Sequence, residues 1–208
     1  MSNGSDPIKP GLSAVELTRI LVEGLGLVRD GSHRWDLGLI CPPERLREIV
    51  TTLRDAPNLR FATLVDMVGI DYLAYPGHRG PRFAVAYQFK SVEFRHRIAL
   101  KVLVDEETPV VPSLHDLFNN ADWTEREVWD QFGIRFSGHP NLKRLLNHHE
   151  FVGHPLRKDY PCQKRQKLSI NDPMIDQLEA RLKERGFTVI DRGLSHSGKP
   201  MISKGTDA

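Results

Sequence analysis

Four histidines, His139, His148, His149 and His154, crowd into sixteen residues of this sequence, a density that invites a metal ion. Paired histidine ligands on a helix stand at i, i+3 or i, i+4 and are completed by carboxylates or thiolates. Here His148 and His149 are adjacent and point in different directions on a helix or a strand. His139 and His154 each precede a proline, where a side chain often sets a turn. The four read as surface or turn residues, and the alternative is a stand-alone metal-binding or hydrolytic domain using the region from His139 to His154. Ser195-His196 lies in a Gly/Ser-rich tail without a strand–turn–helix elbow, and Cys41 falls in a strand pattern facing the core. Neither Cys41 nor Cys162 belongs to a C-x-x-C pair, so the sequence offers no disulfide framework and no zinc or iron–sulfur ligand set. Gly24-Leu25-Gly26 is followed by Leu27, Val28 and Arg29 and lacks the third glycine of G-x-G-x-x-G, and no G-x-x-x-x-G-K-[ST] occurs.

Two dense segments remain. In residues 123–134, Thr124 and Glu127 have the spacing of a capping box, and Gly133 closes a short helix in a left-handed conformation. Val128, Trp129 and Phe132 form its apolar face. Glu125, Arg126 and Asp130 are left on the other side, with Arg126 and Asp130 at i, i+4. In residues 151–161, Pro155 and Pro161 forbid a helix and prevent regular pairing. Phe151, Leu156 and Tyr160 nevertheless stand beside Arg157, Lys158 and Asp159. A solvated loop has no use for so much apolar area, whereas a strap clamped between surfaces does.

The elements that position these segments follow from periodicity. Ser13 caps a helix carrying Leu17, Ile20, Leu21 and Leu25 on one face. Trp35, Leu37, Leu39 and Cys41 alternate as a strand, and Pro42-Pro43 opens a helix over 44–55 with Leu46, Ile49, Val50 and Leu53 inward. Strand patterns follow at 61–70, 82–90 and 95–104. In the second, Phe83, Val85, Tyr87 and Phe89 alternate with Arg82, Ala84, Ala86, Gln88 and Lys90, which predicts one buried face and one wet face of an antiparallel sheet. Turn residues at 74–81 mark a hairpin tip, and Pro109 and Pro112 end the sheet region. The fold class is α+β: a small antiparallel or mixed sheet with flanking helices over 13–136, after a flexible N-terminus at 1–12. From residue 137 to 208 glycine and proline break the chain every few residues and strand patterning disappears. This reads as an extended, largely irregular arm that packs on something else, with one helix near 172–186 capped by Asp172 and closed by Gly186.

Composition agrees with a packed domain, at 39% hydrophobic and 27% charged residues. The net charge is +2, unevenly spread: residues 1–138 carry 16 basic against 19 acidic groups, and residues 139–208 carry 13 against 8. The basic arm prefers an acidic surface. The run Gln163-Lys164-Arg165-Gln166-Lys167 holds no aromatic residue, which argues against nucleic acid. No stretch of about 18 apolar residues spans a bilayer, and residues 1–11 have no apolar run of a signal peptide. The expected setting is a reducing cytosol, with any membrane link made through partners.

The blocks E-R-E-x-x-D-x-F-G-I (125–134), G-H-P (138–140), L-x-R-x-L (142–146) and G-H-P-L-R-K-D-Y-P (153–161) closely resemble the C subunit of proton-translocating NADH–quinone oxidoreductase, the 30-kDa subunit family of respiratory complex I. Four blocks in one order over about forty residues make the match specific. Lys143 is a mild departure, standing where arginine is frequent, and beyond Pro161 no match is found. The resemblance implies a peripheral-arm subunit that itself binds neither flavin nor iron–sulfur cluster. FMN, clusters and quinone then belong to partner chains, and this chain lies against the quinone-site subunit and a neighbouring cluster-bearing subunit at the cytoplasmic face of the membrane. It makes Glu125, Arg126, Asp130, Phe132, His139, Arg144, Arg157, Lys158, Asp159 and Tyr160 candidates for partner contact, several of them in ion pairs. The equivalent subunit of a membrane-bound hydrogenase or of a ferredoxin-fed quinone reductase is the alternative within the same class.

Overall fold

The computed structural model describes residues 11–31, 37–161, 173–189 and 202–204. Ser13 and Glu16 cap each other reciprocally, Glu16 N–H donating to Ser13 Oγ at 3.3 Å and Ser13 N–H to Glu16 Oε2 at 2.9 Å. Helix α1 (Ala14–Arg19) continues into a π-turn (Ile20–Gly24) and buries Leu17 and Leu21. A 3-10 turn (Pro43–Arg45) leads into α2 (Leu46–Asp55), whose Leu46, Ile49, Val50 and Leu53 are all fully buried, as their spacing predicts.

The main sheet has the order β1-β2-β5-β4-β3, built from β1 (Val28–Arg29), β2 (Leu37–Cys41), β3 (Thr63–Asp71), β4 (Phe83–Ser91) and β5 (His96–Val104). Neighbours are antiparallel except β2 and β5, so the sheet is mixed. Trp35 and Asp36, expected in the strand of β2, lie outside the described residues. Phe83, Val85, Tyr87 and Phe89 join the apolar residues of α2 in one core. The opposite face of β4 is not wet as its alternation suggests, since Ala84 and Ala86 are buried too. β4 is an inner strand: Ala84 sits between Ile70 and Leu103, and Ala86 between Val68 and Lys101. Larger cross-strand neighbours shield these small side chains. Lys101 is itself buried and ion-pairs with Asp30 at 2.5 Å.

Beyond the main sheet, residues 105–137 add one parallel strand pair, while residues 138–161 hold neither helix nor strand, as their glycines and prolines predict. Strand β6 (Val110–Pro112) pairs in parallel with β7 (Arg135–Ser137), with α3 (Ala121–Phe132) as the connection between them. Helix α4 (Pro173–Glu184) starts on its proline and ends before Gly186 at φ +79°, as the sequence predicts, whereas Asp172 lies outside the described residues. Strands β8 (Phe187–Val189) and β9 (Ile202–Lys204) form an antiparallel pair where strand patterning is absent from the sequence. Among the described residues no helix is long and apolar enough to cross a membrane.

Candidate functional site

Helix α3 begins three residues before the expected cap. Asn120 precedes it, its Nδ2 donating to Leu64 O of β3 at 2.8 Å, so Thr124 lies inside the helix and its hydroxyl turns back to Asn120 O. The Thr124–Glu127 capping box therefore does not form. The C-terminus is as expected: Gly133 adopts φ +76° and its N–H closes on Trp129 O at 2.8 Å.

A helix end leaves its last carbonyls without internal donors. Here residues 138–161, a strap without helix or strand, supply them. His154 Nδ1 meets Asp130 O at 3.0 Å, Leu156 N–H donates to Gln131 O at 3.1 Å, and Arg157 Nε donates to Phe132 O at 2.6 Å. Arg157 also brings a cation to the negative end of the helix dipole. Both approaches need the bare backbone of Gly133, where a Cβ would lie 2.5 Å from Arg157 Nη2 and 2.6 Å from His154.

The polar side of α3 faces inward. Asp130 and Glu125 are fully buried, and Arg126 and Gln131 nearly so. Arg126 and Asp130 do not pair with each other. Arg126 donates from Nε to Lys143 O and from Nη2 to Arg144 O, both at 3.2 Å, while its guanidinium lies 5.0 Å from the Trp123 ring. Asp130 takes Arg144 Nη1 at 2.6 Å on one oxygen and the N–H groups of Leu145, Leu146 and Asn147 at 3.1, 2.9 and 2.8 Å on the other. Burial pushes the Asp130 pKa up, but the Asn147 N–H, Arg144 and the remaining donors outweigh it and bring the carboxyl to about 2. Arg144 lies 5.7 Å from the Trp129 ring and 5.4 Å from that of Phe151, and donates to Gly153 O at 3.0 Å.

The strap ends on the β3–β4 hairpin. Lys158 contributes its backbone N–H, 2.8 Å from Asp71 Oδ2. Arg82 reaches Asp71 at 2.9 Å, Asp159 at 2.7 Å and Glu106 at 2.5 Å, its side chain only 8% exposed. Burial raises the pKa of Asp71, yet Arg82 and the N–H groups of Lys158 and Leu73 leave it below the ordinary value. The Tyr160 ring lies tilted beside that of Phe151, 5.8 Å away, and closes over Gly153, where a Cβ would sit 2.9 Å from it. Phe132 packs on Gly69 of β3 with equally little room. His139 points Nε2 toward Asp122, 3.2 Å from Oδ1, and its Nδ1 accepts from Asn141 N–H at 3.1 Å, the turn-setting role that the following proline suggests. The rings of His148 and His149 lie tilted against each other, their centroids 4.1 Å apart.

Of the ten residues singled out from the sequence, the structure brings Arg126, Asp130, Phe132, Arg144, Arg157, Lys158, Asp159 and Tyr160 onto one strap-and-helix lock. His139 lies beside the start of α3, and Glu125 points to the opposite side of that helix, toward Ser113 and Leu114. Asp71 and Arg82 complete the lock and are missing from that set. Both stand at strand ends, Arg82 in an alternation that assigns it to solvent, and no local spacing links them to Lys158 and Asp159, more than seventy residues away.

The family model of the respiratory-chain NADH dehydrogenase 30-kDa subunit matches residues 39–166. The C subunit of NADH-quinone oxidoreductase from Burkholderia multivorans is 40% identical over 166 residues, 77% of this chain and 78% of the relative. The same subunit from Roseiflexus castenholzii is 47% identical over 135 residues, covering 65% of this chain and 75% of its own. Among solved structures, the trypsin-resistant fragment of Nqo5 superposes with a TM-score of 0.56 at 35% identity, over 62% of this chain and 98% of the fragment. A chain of an archaeal membrane-bound sulfane sulfur reductase superposes at 0.58 over 89% of this chain and 98% of its own, at 19% identity, a likeness of fold alone. With the family model covering more than half its length, and with the four motif blocks inside the matched span, this chain belongs to the 30-kDa subunit family of respiratory-chain NADH dehydrogenase, the C-subunit family of NADH–quinone oxidoreductase.

Proposed function

We propose that this chain is a cofactor-free structural subunit of the peripheral arm of a proton-translocating NADH–quinone oxidoreductase. It packs against the quinone-site subunit and the adjacent cluster-bearing subunit, leaves FMN, iron–sulfur clusters and quinone to partner chains, and meets the membrane's cytoplasmic face only through them. One observation carries this reading. The charged side chains of the motif blocks hold this chain's own backbone: Arg126, Asp130, Arg144 and Arg157 together bind carbonyls or N–H groups of eight residues. Residues so engaged shape a surface. That surface presents Trp123, Leu146 and Leu156, each more than half exposed, which is apolar area that docking would cover.

The test separates assembly from turnover. Arg144→Ala leaves the buried Asp130 carboxylate without its cation, a loss of roughly 3–5 kcal/mol in a buried setting. The expected outcome is less assembled complex on native gels and near-normal NADH–quinone turnover per assembled complex. Normal assembly with collapsed turnover would place Arg144 on the reaction path and refute the structural reading.

A further inference from the structure

Glu125 takes no part in the strap lock. It is fully buried, with Oε2 2.5 Å from Ser113 Oγ and Oε1 2.6 Å from Leu114 N–H. Among the described residues no cation bonds to it. Arg47 of α2, which feels the Glu125 charge, is bound instead to Asp116 and to Ser113 O. The other groups facing Glu125 are Asp122 one turn earlier on α3, Asp116 in the loop after β6, and the buried Tyr87 hydroxyl of β4 with Cys41 behind it. An ionised Glu125 therefore sits among like charges and a desolvated phenol, with only two donors. Ser113 Oγ also lies 3.1 Å from Nδ1 of the half-buried His115, whose ring is 5.8 Å from that of His139 beside Asp122. A hydrogen-bonded row thus runs from the buried carboxyl through one hydroxyl to an imidazole at the surface.

We propose that Glu125, Ser113 and His115 form a proton-binding latch: Glu125 takes up a proton from solvent through Ser113 and His115, and its ionisation in this buried site lowers the stability of the folded chain. The transfer balances without a co-reactant. Ser113 passes its hydroxyl proton to Glu125 Oε2 and receives the proton of His115 Nδ1, and solvent protonates His115 Nε2. The net change is one proton gained by Glu125 and one imidazole tautomer exchanged for the other. Burial raises the Glu125 carboxyl to about 7, with Ser113 and Leu114 opposing, so the latch switches near neutral pH. A raised pKa favours the protonated native state. Stability from this site is full below the unfolded value of 4.5, falls as the pH climbs, and is gone above about 7.

Two measurements on the full-length chain decide the proposal. Carbon-13 NMR of the Glu125 carboxyl should show a midpoint near neutrality. Between pH 5 and pH 8 the wild-type folding constant should fall on the order of 70-fold more than that of Glu125→Gln, which mimics the protonated form. Ser113→Ala should move the midpoint upward, because the ionised form loses a donor; a serine that only packs would lower stability equally at every pH and leave the midpoint in place. After a pH jump, His115→Phe should slow protonation at least about tenfold, followed by the carboxylate infrared band. A Glu125 midpoint near 4.5, or equal pH slopes for wild type and Glu125→Gln, overturns the latch. Should Glu125→Gln fail to fold, the wild-type carbon-13 titration decides alone.

Discussion

At the scale of single residues, Asp130 is the post to which the strap is tied. Three consecutive backbone N–H groups and one guanidinium converge on its carboxylate, which is why it stays ionised although fully buried. A carboxyl whose folded pKa is depressed adds stability that is present above its unfolded value and lost as the pH falls through the folded one. For Asp130 that window runs from 3.8 down to about 2. The stabilisation is roughly 2 kcal/mol. Asp130→Asn, which keeps the shape but sets an NH2 against donors, should lower stability by about 3 kcal/mol at pH 7. It should also flatten the acid limb of the unfolding curve below pH 4, which urea titrations at a series of pH values would measure. An unchanged acid limb would mean that the strap is held by its other anchors. His154 shows the complementary behaviour: burial keeps its imidazole below the ordinary value, so its Nδ1–H can be given to Asp130 O without a second charge beside Arg157 and Arg144.

At the scale of elements, α3 works as a spindle with three contacts. One side packs on β3, where Phe132 lies over Gly69; another holds the strap; the third meets residues 113–114. The helix approaches the sheet so closely because Gly69 has no side chain, and a Cβ there would lie 2.5 Å from the Phe132 ring. Gly69→Ala should therefore push α3 outward and destabilise the chain by about 1–3 kcal/mol, the usual cost of overpacking. Because the strap rides on α3, amide exchange at Leu145, Leu146 and Asn147 should quicken in the same variant. Mass-resolved hydrogen exchange can follow it, and unchanged protection of these amides would show that helix and strap move independently. Gly133 has a separate constraint, since its positive φ adds backbone strain for any replacement to the crowding by Arg157 and His154.

At the scale of the whole molecule, Arg82 joins the sheet to the strap. It holds Asp71 at the end of β3, Asp159 in the strap and Glu106 after β5, segments that are far apart in sequence. The two ends of this network differ in environment: the Asp71 side chain is fully buried, while that of Asp159 is 53% exposed. Arg82→Ala should cost about 3–5 kcal/mol because it strands a buried carboxylate. Asp159→Ala should cost under about 1 kcal/mol, as an exposed pair does. Chemical denaturation of both variants checks the contrast, and equal losses would refute the assignment of Asp71 as the buried partner.

Much of this arrangement is written locally in the chain. The Ser13–Glu16 cap, the apolar stripe of α2, the three long strands and the left-handed Gly133 depend on residues within a few positions of one another, so periodicity and turn chemistry determine them. The motif blocks determine the family for a similar reason, since they are contiguous strings. Tertiary structure decided what no local pattern carries. Ala84 and Ala86 read as a wet face and are buried because β4 became an inner strand with larger neighbours on both sides. Arg126 and Asp130 have the spacing of a mutual pair, yet each binds the strap, because the backbone groups of residues 143–147 are held directly against them. Helical spacing says which side chains share a face, while the partner that face meets is set by where the rest of the chain folds back, and here fourteen or more residues of separation lie between each charge and the backbone it holds.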